Sequence, residues 1–331
     1  MNIRRWLVAV VVGMSMLIVR SSIADDSKSA AEALKKGKSC FDKQDYDAAI
    51  VAFSEAIRLS PKDALAYYGR GRAYGRKGDL DNALSDVMEA IRLNPQFADA
   101  YRCRGKYYNG KGEFDKAIVD FTEAIRLDPK LAKAYGGRGG AYYEKGDLDK
   151  AIADDTEAIR LDPTFAEVYC NRGLAYGKKG EFDKTIADCT EAIRLNPKLA
   201  EAYSSRGSAY EKKGELDKAL ADCMEAIRLN PKLAEAYYDR GSTYEAKGAS
   251  GKAIADYTEA IRLDPKLAVA YYGRGMAHAE KGDLDKAIAD FTEAIRLDPK
   301  LAEAYYSRGL TYRAKADEDF ARAKKLKYKP K

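Results

Sequence analysis

The sequence has little of the chemistry on which most enzymes depend. Among 331 residues there is a single histidine, His278, and a single tryptophan, Trp6. One histidine cannot supply the acid–base pairs or ligand sets that are built on imidazole. No glycine-rich phosphate-binding loop occurs, because the glycines follow a regular repeat. We therefore expect no enzyme, and predict no catalytic residue, no metal site and no cofactor.

Cysteine is also scarce, and its pattern is uninformative for a disulfide or metal framework. The five cysteines are odd in number and follow no ligand spacing. Most occupy places that other copies of the repeat fill with tyrosine, phenylalanine or valine. We expect them to act as small buried hydrophobic residues. They are Cys40, Cys103, Cys170, Cys189 and Cys223.

Only one long apolar run is present, at residues 6–19, directly after Arg4 and Arg5. Its length is short for a membrane span and typical of a signal peptide, and Ser22-Ile23-Ala24 offers a cleavage site. We predict that residues 1–24 are an export signal, followed by a short segment at 25–29. The protein would then reach the periplasm, the cell envelope or the medium. Arg20 keeps the alternative open that the signal stays uncleaved and tethers the chain to the membrane.

The net charge of +6 is unevenly placed. The signal contributes three positive charges and residues 313–331 contribute five, which leaves −2 for residues 25–312. A spread basic surface for nucleic acid is therefore missing, and no nucleic-acid partner is expected. The basic tail is interpreted as a solvated end or as a weak contact to acidic lipid or protein.

A repeat of 34 residues organises the chain. Eight of the nine prolines follow one another at this interval, which indicates a stacked-repeat protein. They are Pro61, Pro95, Pro129, Pro163, Pro197, Pro231, Pro265 and Pro299. The predicted units cover residues 30–301.

Each unit has the pattern of two helices. In the unit at 268–301, Gly282 suits a left-handed helix stop and Asp283 a cap on the next helix. Apolar residues three or four apart then mark one helical face. Asp298 and Pro299 are expected to start the following unit, with proline at the first helical position.

The residues at fixed places in this unit resemble a known family. They are Tyr271, Gly275, His278, Ala287, Phe291, Ala294 and Pro299. The unit is similar to the tetratricopeptide repeat, although His278 replaces a core tyrosine. The resemblance implies an all-α, right-handed superhelical solenoid of antiparallel helix pairs. It also implies that the first helices line a concave groove that binds a peptide or a partner protein.

Both ends of the array depart from the pattern. In the first unit Cys40 stands in a tyrosine column and Gln44 in a glycine column. Residues 302–331 form a partial ninth repeat, in which Ala316 replaces the loop glycine. We predict one long capping helix at about 302–327, with a polar outer face, and then the basic tail.

Two columns of charged residues, one of arginine and one of aspartate, stay the same between copies of the repeat. Because unit 1 loses both together, with Lys36 and Ala52, we predict that each arginine pairs with an aspartate of its own or an adjacent unit. The alternative is an exposed aspartate joined only to local lysines. The arginines are Arg70, Arg104, Arg138, Arg172, Arg206, Arg240, Arg274 and Arg308. The aspartates are Asp86, Asp120, Asp154, Asp188, Asp222, Asp256 and Asp290.

Two departures lie inside the array. Asp155 stands in a column of Phe, Val, Cys and Tyr, where a carboxylate is costly unless it finds Arg138 or water. The alternative is a tolerated weak spot. Ala249-Ser250-Gly251 replaces Asp-Leu-Asp in unit 7, so early hydrogen exchange is expected at 249–255.

Variable columns on the first helices are the candidates for partner binding, because tyrosine and arginine are common anchors at interfaces. Neutral drift at exposed positions would give the same variation. The predicted site residues are Lys38, Tyr68, Arg72, Arg102, Lys106, Tyr238, Tyr272 and Tyr306. The family's carboxylate clamp is not expected, since no three consecutive units supply its Lys/Arg and Asn residues.

The sequence thus predicts an exported helical-repeat scaffold that binds a protein or peptide in its groove. An architectural or self-assembling envelope protein is the first alternative, and self-association stays open. A nucleic-acid-binding helical repeat is a weaker alternative.

Overall fold

Residues 27–328 are described by the computed structural model, so the predicted signal at 1–24 lies outside the described residues. The described part contains seventeen helices and no strand, which confirms the all-α prediction. The chain divides into two compact units, Met1–Asp162 and Pro163–Lys331. The first is called the N-terminal unit and the second the C-terminal unit. No helix among residues 27–328 is long and apolar enough to cross a membrane.

In the described part of the N-terminal unit, residues 27–162, eight helices are arranged as four consecutive pairs. They are α1 (27–42), α2 (Tyr46–Leu59), α3 (Ala64–Lys77), α4 (Leu80–Leu93), α5 (Ala98–Gly110), α6 (Phe114–Leu127), α7 (Ala132–Glu144) and α8 (Leu148–Leu161).

In the C-terminal unit four further pairs are followed by one long helix. The helices are α9 (Ala166–Lys178), α10 (Phe182–Leu195), α11 (Ala200–Lys212), α12 (Leu216–Leu229), α13 (Ala234–Ala246), α14 (Ser250–Leu263), α15 (Ala268–Glu280), α16 (Leu284–Leu297) and α17 (Ala302–Lys325). From α2 to α8 and from α9 to α17, every helix packs against the next one along the chain. Gly37 of α1 lies against Phe53 of α2, where a Cβ on the glycine would be 2.6 Å from the ring.

The turn inside each pair depends on a left-handed residue. Gly282 has φ +80°, as predicted, and six other loop glycines have positive φ as well. In the first repeat Gln44 takes this conformation with φ 63°. A residue with a side chain adopts a positive φ less readily than glycine does. The helix pair therefore forms even where the glycine is missing.

The joint between repeats differs from our prediction. Asp298 and Pro299 do not begin the following helix, because α17 starts at Ala302 with Leu301 at its N-cap. Instead Asp298 Oδ1 accepts a hydrogen bond from the backbone N–H of Lys300 at 2.9 Å. The Asp-Pro pair thus forms a turn. In this turn the aspartate side chain, and not a backbone carbonyl, accepts the hydrogen bond from the N–H of Lys300, which is a common role of aspartate in loops.

Asp283 occupies the N-cap position of α16, as expected, but its side chain makes no capping hydrogen bond. The carboxylate lies 3.1 Å from Lys286 Nζ instead. That pairing lowers the pKa of Asp283, with the hydrogen bond to Lys286 as the largest cause.

Close approach of the two helices in a pair depends on a glycine of the first helix. A Cβ on Gly275 would lie 2.7 Å from Phe291 Cε1, and one on Gly241 would lie 2.9 Å from Tyr257. Phe291 and Tyr257 are almost fully buried. A larger residue than glycine would therefore push the second helix away.

The predicted ladder of arginine and aspartate is confirmed, and each pair lies within one repeat. Arg206 Nε and Nη2 both donate to the carboxylate of Asp222, at 2.8 Å each. The same two-bond geometry occurs in all seven repeats that carry both residues. The aspartates are buried and the arginines half-buried, so each pair joins the two helices from inside the repeat.

Several of these arginines also reach the preceding repeat. Arg206 Nη1 donates to Thr190 Oγ1 at 3.1 Å, and Arg274 Nη1 donates to Thr258 Oγ1 at 3.2 Å. Each of these guanidinium groups therefore contacts two successive second helices. This contact was not predicted from the sequence, because Met88 and Met224 interrupt the column of hydroxyl residues.

Asp155 is fully buried, at 1% exposure. Arg138, one expected partner, donates to Asp154 and to Thr122. Asp155 instead lies against Gly139, where a Cβ would be 2.5 Å from its Oδ1. It thus occupies the place that an aromatic or aliphatic side chain fills elsewhere.

Surface ion pairs join successive repeats. Lys247 Nζ lies 2.7 Å from Asp217 Oδ1, and Lys111 Nζ lies 3.0 Å from Asp81 Oδ1. In unit 7 the aspartate is replaced by Gly251, and Ser250 Oγ donates to Glu280 Oε2 at 2.9 Å instead. This joint therefore loses both an ion pair and the acidic residue in the first turn of α14.

One continuous helix, α17, follows the last pair, which confirms the predicted single helix with an end at Lys325. The predicted polar outer face is wrong in part. Tyr306, Leu310, Tyr312 and Phe320 are exposed along it. The cysteines agree with expectation: Cys103, Cys170, Cys189 and Cys223 are buried, Cys40 is half-buried, and no disulfide joins them.

Loss of one ladder aspartate should destabilise the chain more than loss of an exposed one. Asp222→Ala leaves Arg206 half-buried without its carboxylate, so we expect the free energy of unfolding to fall by roughly 1–3 kcal/mol. Glu225→Ala breaks the exposed Arg228–Glu225 pair and should have little effect. Urea unfolding followed by circular dichroism compares them, and an equal loss in both variants would contradict the ladder's role.

Unit 7 should open first in hydrogen exchange. We expect amides at 249–255 to exchange faster than the equivalent amides at 283–289, because the acidic turn and the inter-repeat ion pair are absent. A variant with Ala249→Asp and Gly251→Asp should slow exchange, since residue 251 would then face Lys281 as Asp285 faces Lys315. Uniform protection of both segments in the natural chain would show that this joint is not weak.

Candidate partner-binding surface

The predicted site residues lie on the first helix of their repeats. Lys38 is on α1, Tyr68 and Arg72 are on α3, and Arg102 and Lys106 are on α5. Tyr238, Tyr272 and Tyr306 lie on α13, α15 and α17 of the C-terminal unit. We call the surfaces that these side chains line in each unit the first-helix face.

A pocket of about 340 Å³ brings three of these residues together in the N-terminal unit. Its lining includes Lys38, Tyr68 and Arg72, together with Phe41 and Phe97. Residues from α1, from α3 and from the turn before α5 therefore meet at one place. We call this the N-terminal pocket.

Aromatic rings hold the arginine of the N-terminal pocket. The guanidinium carbon of Arg72 lies 4.3 Å from the centre of the Phe41 ring and 5.5 Å from that of Tyr68. Tyr68 in turn packs against Phe97, with ring centres 4.7 Å apart. Burial raises the pKa of Tyr68. A guanidinium group packed on rings keeps its N–H edge for a planar acceptor such as a carboxylate.

The two remaining cations of this unit differ from one another. Arg102 Nη2 lies 2.8 Å from Asp99 Oδ1, and its side chain is half-buried. Lys106 is exposed on the same helix. The structure therefore ties Arg102 to a local acid, whereas Lys38 and Lys106 present exposed ammonium groups.

Sequence reasoning missed Phe41 and Phe97 as parts of the pocket. Phe41 belongs to a third variable column on the first helices, which signals a variable face as clearly as the two columns that we used. This column holds Phe41, Gly75, Asn109, Tyr143, Gly177, Glu211, Glu245, Ala279 and Arg313. Phe97 stands in the turn before α5, and no helical pattern could have placed it there.

In the C-terminal unit two of the predicted tyrosines pack against the second helix of their own repeat. Ring centres lie 5.8 Å apart for Tyr238 and Tyr257 and 5.9 Å apart for Tyr272 and Phe291. Tyr306 has no such partner ring among the described residues and is 71% exposed. Tyr306 therefore does not share the environment of the other two.

Carboxylates that the prediction did not include stand beside these tyrosines. Ser204 Oγ donates to Asp239 Oδ2 at 2.6 Å, between α11 and α13. Tyr257 Oη donates to Glu245 Oε2 at 2.6 Å. Burial raises the pKa of Asp239 to about 7 and also raises the pKa of Glu245. An aspartate in a column that holds Gly69, Gly137, Ser205 and Gly273 was the available signal.

Chemically, the first-helix face can stack, donate and accept hydrogen bonds, and pair charges. No group of histidine, cysteine, aspartate or glutamate within residues 27–328 is arranged to hold a metal ion. His278 is half-buried, with its Nδ1 3.4 Å from Asp283 Oδ2. The surface thus offers groups for stacking, hydrogen bonding and ion pairing.

Asp239 should make stability depend on pH. Its pKa is about 7 in the folded chain and about 3.9 when unfolded. The folded state thus holds a proton that the unfolded state releases, so this contribution is full below about pH 4 and is lost as the pH rises through 7. We expect the urea midpoint to fall more between pH 4.5 and 7.5 in the natural chain than in Asp239→Asn. Parallel pH profiles for the two proteins would refute a raised pKa at this site.

Comparisons with known proteins agree with this architecture. Matches to the description "TPR repeat" cover residues 37–78, 105–146, 139–180 and 275–315. Matches to the description "Tetratricopeptide repeat" cover residues 166–199, 200–233, 234–267, 64–97 and 256–289. No curated protein matches the chain.

Solved structures show the same fold. A chain of the APC/C hetero-tetramer Cut9–Hcn1 matches with a TM-score of 0.69 and 17% identity, over 80% of this chain and 52% of that one. This chain thus spans about half the length of that relative. A tetratricopeptide repeat protein from Parabacteroides merdae matches with a TM-score of 0.60 and 21% identity, over 75% of this chain and 98% of that one. The repeated family matches and the helix-pair fold together show that the chain belongs to the tetratricopeptide repeat family.

Proposed function

We propose that the chain is a scaffold that binds a protein or peptide partner on its first-helix face. The observation that carries this proposal is the N-terminal pocket, where Lys38, Tyr68 and Arg72 meet Phe41 and Phe97. Aromatic and arginine side chains dominate the energetics of many interfaces. Here they are half-buried and already held in position by their neighbours, which reduces the entropy lost on binding.

Each unit offers a different chemistry to such a partner. The N-terminal pocket combines Lys38 and Arg72 with aromatic rings, which suits an acidic residue next to an apolar one. The C-terminal unit places Asp239 and Glu245 near Tyr238, where burial raises the pKa of the tyrosine to about 12. A partner that contacts both units would therefore carry acidic and basic segments.

The proposed site of action is outside the cytoplasm. Support comes from the apolar run at 6–19 and the small residues at 22–24. The tethered form, with an uncleaved signal, gives the same surface a membrane-anchored location. Sequencing the N-terminus of the protein purified from its natural cells distinguishes the cleaved from the tethered form, because a cleaved chain begins at Asp25.

Partner capture with matched variants tests the binding surface. Extract proteins are captured on the natural chain, identified by mass spectrometry, and compared with capture on Arg72→Ala and Tyr238→Ala. Loss of an anchor of this kind costs about 2 kcal/mol, or roughly 30-fold in affinity. Arg92→Ala is the matched control, because Arg92 is exposed on the second helix α4 and pairs with Glu89.

The proposal expects a partner that the natural chain and Arg92→Ala retain and that both site variants lose. Equal retention by all four proteins would refute the first-helix face as the binding surface. A chain that captures nothing, but whose sedimentation coefficient rises with concentration, would instead be the self-assembling envelope protein.

A further inference from the structure

The last helix, α17, repeats the features of a first helix, but no second helix follows it to complete its own repeat among the described residues. Tyr306, Arg308, Gly309 and Tyr312 stand where the other repeats contact their second helix. Tyr306 is 71% and Tyr312 53% exposed, whereas Tyr238 and Tyr272 are half-buried. We call these four residues the α17 open face.

Gly309 shows that space is available there. In the other repeats, a Cβ on the equivalent glycine would lie 2.5–3.2 Å from a side chain of the second helix. A Cβ on Gly309 would meet no atom of residues 27–328 within 4 Å. The cleft that Phe291 or Tyr257 fills in its own repeat is therefore open on α17.

Arg308 shows which charge is missing. Seven arginines in its column donate two bonds to an aspartate sixteen residues later, but Lys324 stands sixteen residues after Arg308. Among the described residues Arg308 bonds to Thr292 Oγ1 of the preceding second helix, at 3.1 Å. That bond matches the one that Arg274 makes to Thr258. Arg308 therefore has the orientation of the ladder without the carboxylate that completes it.

The polypeptide from 314 to 325 does not fill this gap itself. In every complete repeat a left-handed residue turns the chain back at this place, but α17 continues as one helix from Ala302 to Lys325. Residues 314–325 therefore extend away along the helix axis and do not fold back onto Gly309.

We propose that the α17 open face binds an amphipathic helix of another protein, and that this helix has the chemistry of the second helices in this chain. The complete repeats define that chemistry. An aspartate bonds the arginine, as Asp290 does for Arg274 at 2.7 and 2.8 Å. An aromatic residue directly after it packs on the glycine, as Phe291 does. A lysine four residues before the aspartate lies over the tyrosine, as Lys218 lies 5.2 Å from the ring of Tyr210.

The described part of a second copy offers no such helix. All seven ladder aspartates already bind the arginine of their own repeat. The remaining second helix, α2, carries Ala52 in the aspartate column. A second copy could supply such a helix only by breaking one of its own buried ion pairs. Breaking a buried pair is strongly destabilising, because it leaves a buried charge without its partner. The α17 open face shares no residue with the N-terminal pocket.

A peptide copied from this chain is the direct probe. A fluorescent peptide with the sequence of residues 283–297 carries Lys286, Asp290 and Phe291 in the required spacing. We expect saturable one-to-one binding to the full chain, measured by fluorescence anisotropy. Binding should weaken at least tenfold when the peptide carries Asp290→Asn, since the amide cannot replace the charge of the carboxylate.

Protein variants locate the binding site. Gly309→Leu fills the open cleft and should abolish binding, and Arg308→Gln should weaken it at least tenfold. Gly110→Leu is the matched control, because Gly110 also has open space around it and lies on α5. Circular dichroism and the thermal midpoint show whether each variant is folded. Gly309→Leu should fold, because leucine favours the helix more than glycine does.

Three results would overturn the proposal. The first is no saturable binding at millimolar peptide. The second is binding that is as tight to Gly309→Leu and Arg308→Gln as to the natural chain. The third is a dimer of the natural chain that Gly309→Leu dissociates, because the occupant would then be a second copy.

Discussion

The closeness of the two helices in each repeat is the constraint on which the rest of the structure depends. A glycine on the first helix lets the residue at the centre of the second helix reach its backbone, as Phe291 reaches Gly275. One residue before the glycine, an arginine binds the aspartate that precedes the central residue. Apolar contact and ion pair thus lie side by side. The apolar contact sets the distance between the helices, and the ion pair sets their register.

This arrangement explains why some columns repeat and others vary. A change in the glycine, arginine or aspartate alters how the next helix packs, so these columns are part of the frame. Arg206 and Arg274 extend the frame by bonding Thr190 and Thr258 of the preceding repeat. Positions on the first-helix face lie outside these columns of glycine, arginine and aspartate. The chain can therefore place arginine and aromatic rings in the N-terminal pocket and carboxylates beside Tyr238 on the same scaffold.

Most of the frame could be predicted from the sequence, because it is encoded in local spacing that recurs. The helix pairs, the left-handed Gly282, the Arg–Asp pairs and the long α17 are confirmed. The start of each repeat was not predicted correctly, since Asp-Pro is compatible with both a helix cap and a turn. The pairing of Asp298 with the N–H of Lys300 decides for the turn.

The candidate surface was less accessible to prediction. The columns identified Tyr68, Arg72 and Lys38, which meet at one pocket, but not Phe97, whose position depends on the turn between repeats. Asp239 stands out in its column, but that departure alone does not reveal its contact with Ser204 on a neighbouring first helix. Tyr306 belongs to a predicted column but lacks the partner ring, because α17 continues where a second helix would begin.

A double-mutant cycle on Arg240 and Asp256 tests the central claim, that the internal ion pair couples the two helices. The pair lies 2.7–2.8 Å apart with the aspartate buried. The free energy of unfolding is measured for the natural chain, Arg240→Ala, Asp256→Ala and the double variant. We predict a coupling energy of at least about 1 kcal/mol, within the range for residues in direct contact. A coupling energy near zero, with the two losses simply additive, would contradict the account.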